Sequence, residues 1–328
     1  MMRAGAARAT ALTYVAPGRA ELRPLDLAPM AGGMVEVETR FSALSRGTER
    51  LVFAGRVPPS EHARMRAPFQ VGAFPFPVVY GYAAVGVARA GPPALTGREV
   101  FALSPHQTLA RLPVEAVVPL PEGLDPRRAP LAANLETALN VAWDAGFGPG
   151  DRIAVVGGGV LGLMVAAIAA AIPATEVTVV DTRPDRANPA RALGARFALP
   201  AAAPDDQDCV IHASATEAGL ATALELAGVE ATVVEASWFG AVEPQVPLGA
   251  AFHSRRLTLK SSQVGEVPPA RRVRWSRRRR LETALALLRD PKFDVLITGE
   301  VAFADLPARL PDLLGPDPVG LATIVRYD

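Results

Sequence analysis

The alternation of apolar and polar positions divides the chain into two textures. Up to about residue 125, proline and glycine break the pattern at short intervals, as in an irregular β domain. Val35-Glu36-Val37-Glu38-Thr39 alternates strictly and predicts a half-buried strand. Val78–Ala88 predicts a second strand, with glycines at Gly81 and Gly86. Val117–Leu120 predicts another, closed by the turn residues Pro121-Glu122-Gly123. Ser60–Phe76 is polar and then rich in Gly, Pro and Phe, which predicts a long surface excursion. Phe74-Pro75-Phe76-Pro77 excludes an interior strand, because each proline removes a ladder donor.

From Arg127 the period changes. Arg127–Ala145 predicts a helix, Ile153–Val156 a buried strand, and Val160–Ala171 a helix stopped by Pro173. Glu176–Asp181 predicts a strand, and Arg186–Leu193 a helix stopped by Gly194. Cys209–His212, Ala231–Ala236 and Leu257–Lys260 predict further strands, with a helix at Glu217–Leu226. Such alternation predicts βαβ units around a parallel sheet, an α/β doubly wound fold of the Rossmann type. After Pro269 the pattern predicts a helix to about Leu288, a β patch at Val295-Leu296-Ile297, a short helix and a terminal strand, Thr323–Tyr327.

Composition narrows the function classes. A length of 328 residues suits two domains, and 50% hydrophobic with 20% charged residues supports a sizeable core. A single cysteine, Cys209, excludes a disulfide scaffold and a Cys-rich zinc module; it opens a buried strand and reads as inert core. A formal charge of +1 gives no global field toward nucleic acid or anionic membrane. The apolar run Ile153–Ile172 approaches the length of a bilayer span, but it opens with a strand, three glycines and a helix start. The Ala- and Arg-rich N-terminus lacks an apolar signal core and a cleavage site. A cytoplasmic protein without membrane attachment is the expectation.

Gly157-Gly158-Gly159-Val160-Leu161-Gly162 satisfies G-x-G-x-x-G. It follows a strand and opens a helix, and Asp181 ends the next strand 19 residues after Gly162. That context points to a dinucleotide. Gly157 serves the tight turn, Gly159 admits the pyrophosphate, and Gly162 lets helix and sheet approach. Asp181 would bind the adenosine ribose hydroxyls and repel a 2′-phosphate, favouring NAD over NADP. Arg183 and Arg186 could instead turn toward a phosphate, or be solvated. Thr182 and Ser214 are further candidate coenzyme contacts. His212 closes the strand before Ser214 and could line the coenzyme or be a packed loop residue.

Several stretches in register resemble the medium-chain dehydrogenase/reductase superfamily. Ser45-Arg46-Gly47-Thr48-Glu49 is similar to the loop carrying the first catalytic zinc ligand of its alcohol dehydrogenases. Gly81–Gly86 is similar to their Gly-His-Glu-x-x-Gly segment, Val118–Leu124 to the run before the linking helix, and Gly148–Asp151 to the approach to the nucleotide domain. The resemblance implies a GroES-like β domain, 1–125, a Rossmann domain, 126–265, a return to the first domain, 266–328, and a homodimer. Leu44–Leu51, Gly55–Pro59 and Tyr80-Gly81-Tyr82 look most like its bacteriochlorophyllide a dehydrogenase branch, which implies oxidation of a hydroxyethyl side chain with NAD.

The departures bear on mechanism. The zinc-ligand positions fall on Ser45 or Arg46, on Tyr82 and near Ala133, and the neighbouring glutamate falls on Ala83. These residues cannot supply the three or four S, N or O donors that zinc takes, so no metal is expected. Tyr82 then becomes the candidate proton donor or acceptor, either with Arg46 lowering its pKa or as a packed core tyrosine. Thr48 matches the family's proton-relay hydroxyl or caps a turn, and Ser45 stands beside it. Glu49 reads as a structural hydrogen-bonding group with an arginine. Glu136 and Asn140 share a helix face, which either contacts substrate in a cleft or is solvated.

Ala270–Arg280 holds seven arginines in eleven residues around Trp275. It reads as a solvated helix face or subunit contact, as a site for an acidic small molecule, or as a nucleic-acid surface. The combined expectation is a zinc-independent NAD(P)-dependent oxidoreductase acting on a secondary alcohol or ketone. Reduction of an enone or quinone with NADPH, and nucleotide sensing or RNA binding without turnover, are the alternatives.

Overall fold

The computed structural model describes residues 8–328. The N-terminal residues 1–7, part of the stretch behind the expected location, lie outside the described residues. The chain forms two compact units: residues up to 133 with 285–289 and 297–328, and residues 134–284 with 290–296.

The first unit is built from two sheets. One has the order Arg19–Asp26, Arg8–Ala16, Val78–Val79, Val71–Gly72. The other runs Ile297–Ala302, Ala322–Arg326, Met34–Ala43, Ala84–Ala90, Glu99–Ala102, Val117–Pro119, with Leu109–Pro113 also paired to Met34–Ala43. The alternation at Val35 and Val37 works as expected: both side chains enter a cluster with Ala88, Val100, Ala110, Leu112 and Val117. Strands from both ends of the sequence meet in this sheet, which gives the GroES-like plus Rossmann architecture.

The β run at 78–88 is two strands in different sheets, Val78–Val79 and Ala84–Ala90. The break is at Gly81, whose φ of +125° suits glycine. A Cβ there would stand 2.7 Å from His106 Cδ2. The excursion before it returns as a short strand, Val71–Gly72, paired with Val78–Val79.

The second unit contains six parallel strands in the order Arg196–Ala198, Glu176–Val180, Arg152–Val156, Gln207–His212, Ala227–Glu235, Thr258–Ser261. Numbered along the chain this is 3-2-1-4-5-6, the doubly wound order whose switch point lies between Arg152–Val156 and Gln207–His212. Val156, Val180, Val210 and Val233 pack on Leu224 and Leu226 of helix Glu217–Leu226. The apolar run at 153–172 is a strand, a glycine turn and helix Val160–Ala170. Among the described residues, no helix is long and apolar enough to cross a membrane. Cys209 is buried, and that burial pushes its thiol up to about 12, too high for reactivity.

Two late features differ from the sequence expectation. Val295 and Leu296 end a 3-10 helix, Pro291–Leu296, and the strand runs Ile297–Ala302. Leu296 is fully buried as the helix end packs down. The helix predicted from Pro269 begins at Arg277. Residues 266–284 group with the second unit, held by Arg280 on Glu136 and by Trp275 against Trp143.

Candidate functional site

In the second unit the strand-to-helix turn Gly157–Gly159 opens at the switch point. Gly157 has φ +112°, and a Cβ on it would lie 2.7 Å from the Ser214 nitrogen, so the loops after the two central strands abut. A Cβ on Gly162 would collide with the Gly157 carbonyl. Gly159, by contrast, faces open space, with no atom within 4 Å of a Cβ position. It is also the N-cap of Val160–Ala170 and carries no side-chain cap. The first N–H groups of that helix, from Val160 and Leu161 onward, have no carbonyl one turn back, and the helix dipole lies behind them. This cradle fits a pyrophosphate.

Asp181 lies at the end of the neighbouring strand and braces the same turn. Its Oδ2 accepts from Gly158 N at 2.6 Å and its Oδ1 from Arg183 N at 2.8 Å. Each oxygen keeps a lone pair for ribose hydroxyls. Arg183 and Arg186 both lean to Asp185, at 3.2 and 3.7 Å, and the Arg186 stem packs beside Gly158. Thr182 is exposed next to them.

Ser214 sits at the head of a hydrogen-bonded chain. Glu235 Oε2 is 2.6 Å from His212 Nδ1, His212 Nε2 is 2.7 Å from Ser214 Oγ, and Ser214 Oγ is 2.8 Å from Thr216 Oγ1. The carboxylate accepts, so Nδ1 donates and Nε2 is left to accept the Ser214 hydroxyl proton. Ser214 Oγ in turn accepts from Thr216 N at 3.3 Å. The Ser214 side chain, expected to meet coenzyme, is thus engaged within the protein, and His212 is fully buried.

In the first unit, helix Arg46–Phe53 starts at Ser45, yet Ser45 makes no side-chain cap. Glu49 Oε1 takes the Ser45 N–H instead, at 2.7 Å. The Ser45 hydroxyl is released to accept from Tyr82 Oη at 2.5 Å, and the Thr48 hydroxyl favours the ionised form of that phenol. Ser45, Thr48 and Tyr82 therefore form one hydroxyl cluster. Burial pushes the Tyr82 phenol up to about 12; the Glu49 charge adds to this, while the Ser45 and Thr48 hydroxyls oppose it. A phenol held there is protonated at neutral pH. Arg46 does not lower it: its guanidinium donates to the Val319 and Gly320 carbonyls at 2.7 and 2.9 Å.

Beneath this cluster is a dyad that sequence reasoning did not assemble. Glu49 Oε2 accepts from Tyr14 Oη at 2.8 Å and from His106 Nε2 at 3.0 Å, with both Glu49 and His106 fully buried. The partner expected for Glu49 was an arginine; a tyrosine and a histidine take that place. His106 Nδ1 meets Ser42 Oγ at 2.7 Å, and Ser42 meets Tyr327 Oη at 3.1 Å. Burial, reinforced by Glu49, holds the Tyr14 phenol well above its usual range.

Glu136, expected to touch substrate or solvent, does neither within its unit. It is buried against Arg280 at 3.0 Å. Burial raises its carboxyl pKa, and the Arg280 charge opposes that rise. Arg280 also donates to Asn140 Oδ1 and, at 2.6 Å, to the Val264 carbonyl. The most C-terminal arginine of the run is therefore interior, only 2% exposed. Among the described residues, no group of three or more His, Cys, Asp or Glu is arranged to hold a metal ion. The donor set of Ser45, Tyr82 and Ala133 does not fit zinc.

Comparison with known proteins gives the fold. L-idonate 5-dehydrogenase from Escherichia coli superposes with a TM-score of 0.80 at 15% identity, over 98% of this chain and 99% of that one. A zinc-binding dehydrogenase of Sinorhizobium meliloti bound to NADP gives 0.76 at 17%, with the same coverage. The likeness is one of fold, a GroES-like β unit and a Rossmann unit. A probable D-xylulose reductase A of Aspergillus niger is 29% identical over 153 residues, 44% of this chain and 43% of its own length. The chain thus spans less than half of that relative. No family model matches the chain.

Proposed function

We propose that this chain is an NAD(P)-dependent oxidoreductase that interconverts a secondary alcohol and a ketone without zinc, with NAD preferred. The observation that carries the reading is the Tyr82–Ser45 hydrogen bond, with Thr48 beside it, at two of the positions where the resemblance would place a metal's donors. A bound nicotinamide supplies the hydride chemistry. Gly157, Gly158, Gly159, Gly162 and the start of helix Val160–Ala170 would hold its diphosphate, and Asp181 the adenosine ribose. Tyr82 donates a proton to the carbonyl oxygen. The Ser45 and Thr48 hydroxyls then stabilise the phenolate until it regains a proton from solvent. Glu49 and His106 hold Ser45 in place.

The relatives' names point to small polyols and alcohols. The local similarity of Leu44–Leu51 and Tyr80–Tyr82 points to a hydroxyethyl group on a larger ring. These names favour an alcohol or ketone over an enone. The test is turnover of NADH and NADPH with polyol ketones, simple ketones and acetyl-bearing aromatics. Absence of turnover with every carbonyl, despite coenzyme binding, sinks the reading. Metal analysis of the purified protein is expected to give far less than one zinc per chain, with activity unchanged by a chelator.

Coenzyme preference rests on Asp181. Asp181→Ala is expected to weaken NADH binding by about tenfold, the loss of one or two hydrogen bonds. NADPH binding should weaken less, because the lost repulsion partly offsets the lost brace on Gly158 N, as read by fluorescence titration.

A further inference from the structure

The arginine run is left over from this chemistry. Arg280 is interior. Arg277 and Arg278 pair with Glu266 and Glu282 at 2.8 and 2.6 Å. Arg271, Arg272, Arg274 and Arg279 have no carboxylate within ion-pair distance among the described residues. Arg279 lies over the Trp275 ring at 3.9 Å, Arg271 over Trp143 at 5.6 Å, and the two indoles meet at 4.7 Å. Between Arg272 and Arg274, Val273 is 89% exposed. The exposed Val273 thus lies between Arg271, Arg272 and Arg274 in the turn before helix Arg277–Leu287, with Arg279 in that helix's first turn.

We infer that this turn docks on the surface of an anionic lipid bilayer. Three features select that partner. Four arginines without carboxylate partners complement lipid phosphates and carboxylates, and the attraction acts within a Debye length, where a net charge of +1 is irrelevant. Val273 has no role against a polyphosphate but enters the boundary between headgroups and acyl chains. The two indoles, which single-stranded nucleic acid would need as stacking platforms, are already taken by Arg279, Arg271 and each other. Attachment is peripheral, and it is independent of the catalytic reading.

The experiment is co-sedimentation of the full chain with vesicles of phosphatidylcholine alone and with added phosphatidylserine, at low and high salt. Binding is expected only with phosphatidylserine and should fall as salt rises. The pair R272A/R274A should weaken it about 25-fold, roughly fivefold per arginine. V273D should weaken it further, without changing thermal stability or coenzyme affinity, since this side chain touches solvent. A single-stranded RNA serves as the competing probe. Equal binding to neutral vesicles, no binding to charged ones, or no loss with R272A/R274A overturns the proposal. RNA binding tighter than vesicle binding and indifferent to V273D assigns the turn to nucleic acid and overturns it too.

Discussion

Tyr82→Phe lowers carbonyl reduction by about 10²–10⁴-fold, the range for loss of a positioned general acid, while the coenzyme still binds with unchanged affinity. The substitution removes one oxygen from a ring that stays packed at 6.0 Å, edge-on, against Tyr80. Stability should therefore hold. The wild-type pH profile carries a second signature. A phenol held up at about 12 by burial and by Glu49 is protonated through the neutral range. Reduction should be level from about pH 6 to 10 and decline only as the phenol ionises. Alcohol oxidation needs the phenolate and should climb about tenfold per pH unit over the same range. Steady-state rates in both directions check this. Near-normal turnover by the Tyr82→Phe variant removes Tyr82 from the chemistry and with it the zinc-free alcohol reading.

Arg280→Ala is expected to cost about 3–5 kcal/mol of stability, the range for stripping one partner from a buried ion pair. Glu136 would then lie buried without its hydrogen-bonded countercharge, and Asn140 and the Val264 carbonyl would each lose a donor. Glu136 is already raised by burial. With Arg280 gone, the more distant Arg277 charge is left as the opposing influence, so proton uptake by Glu136 relieves the burial. The deficit should shrink as pH falls toward the carboxyl range and widen above it. Replacing both partners, Glu136→Leu with Arg280→Met, should recover most of the loss. Thermal melts at two pH values read both effects. Destabilisation under about 1 kcal/mol would mean that Arg280 behaves as a surface residue.

The Rossmann unit is legible because its signals are local. A glycine turn between strand and helix and an acidic residue one strand later lie within 25 positions (157–181) and read directly as geometry. Ser45, Thr48 and Tyr82 are placed through family resemblance; nothing in their spacing brings residue 82 to residue 45. The Glu49–His106 dyad escapes the sequence because 57 residues separate its members. It is assembled by the bend at Gly81, which passes over the imidazole, and a lone histidine in a loop shows no such approach in sequence. Arg280 misleads for the opposite reason. Six neighbours of the same kind hide one side chain that turns inward, and only Glu136, 144 positions earlier, explains it. The strand at 78–88 reads as continuous because its apolar character does not lapse where its backbone does.

Asp181 has a bearing on how coenzyme choice can evolve here. The same carboxylate that would recognise the sugar also ties down the Gly158 amide. Selectivity and the stiffness of the diphosphate receptor are therefore one property. Any replacement that welcomes an extra phosphate on the ribose slackens the turn that must grip the rest of the molecule. A lineage drifting toward the phosphorylated coenzyme would need a second anchor for that amide before the exchange became tolerable.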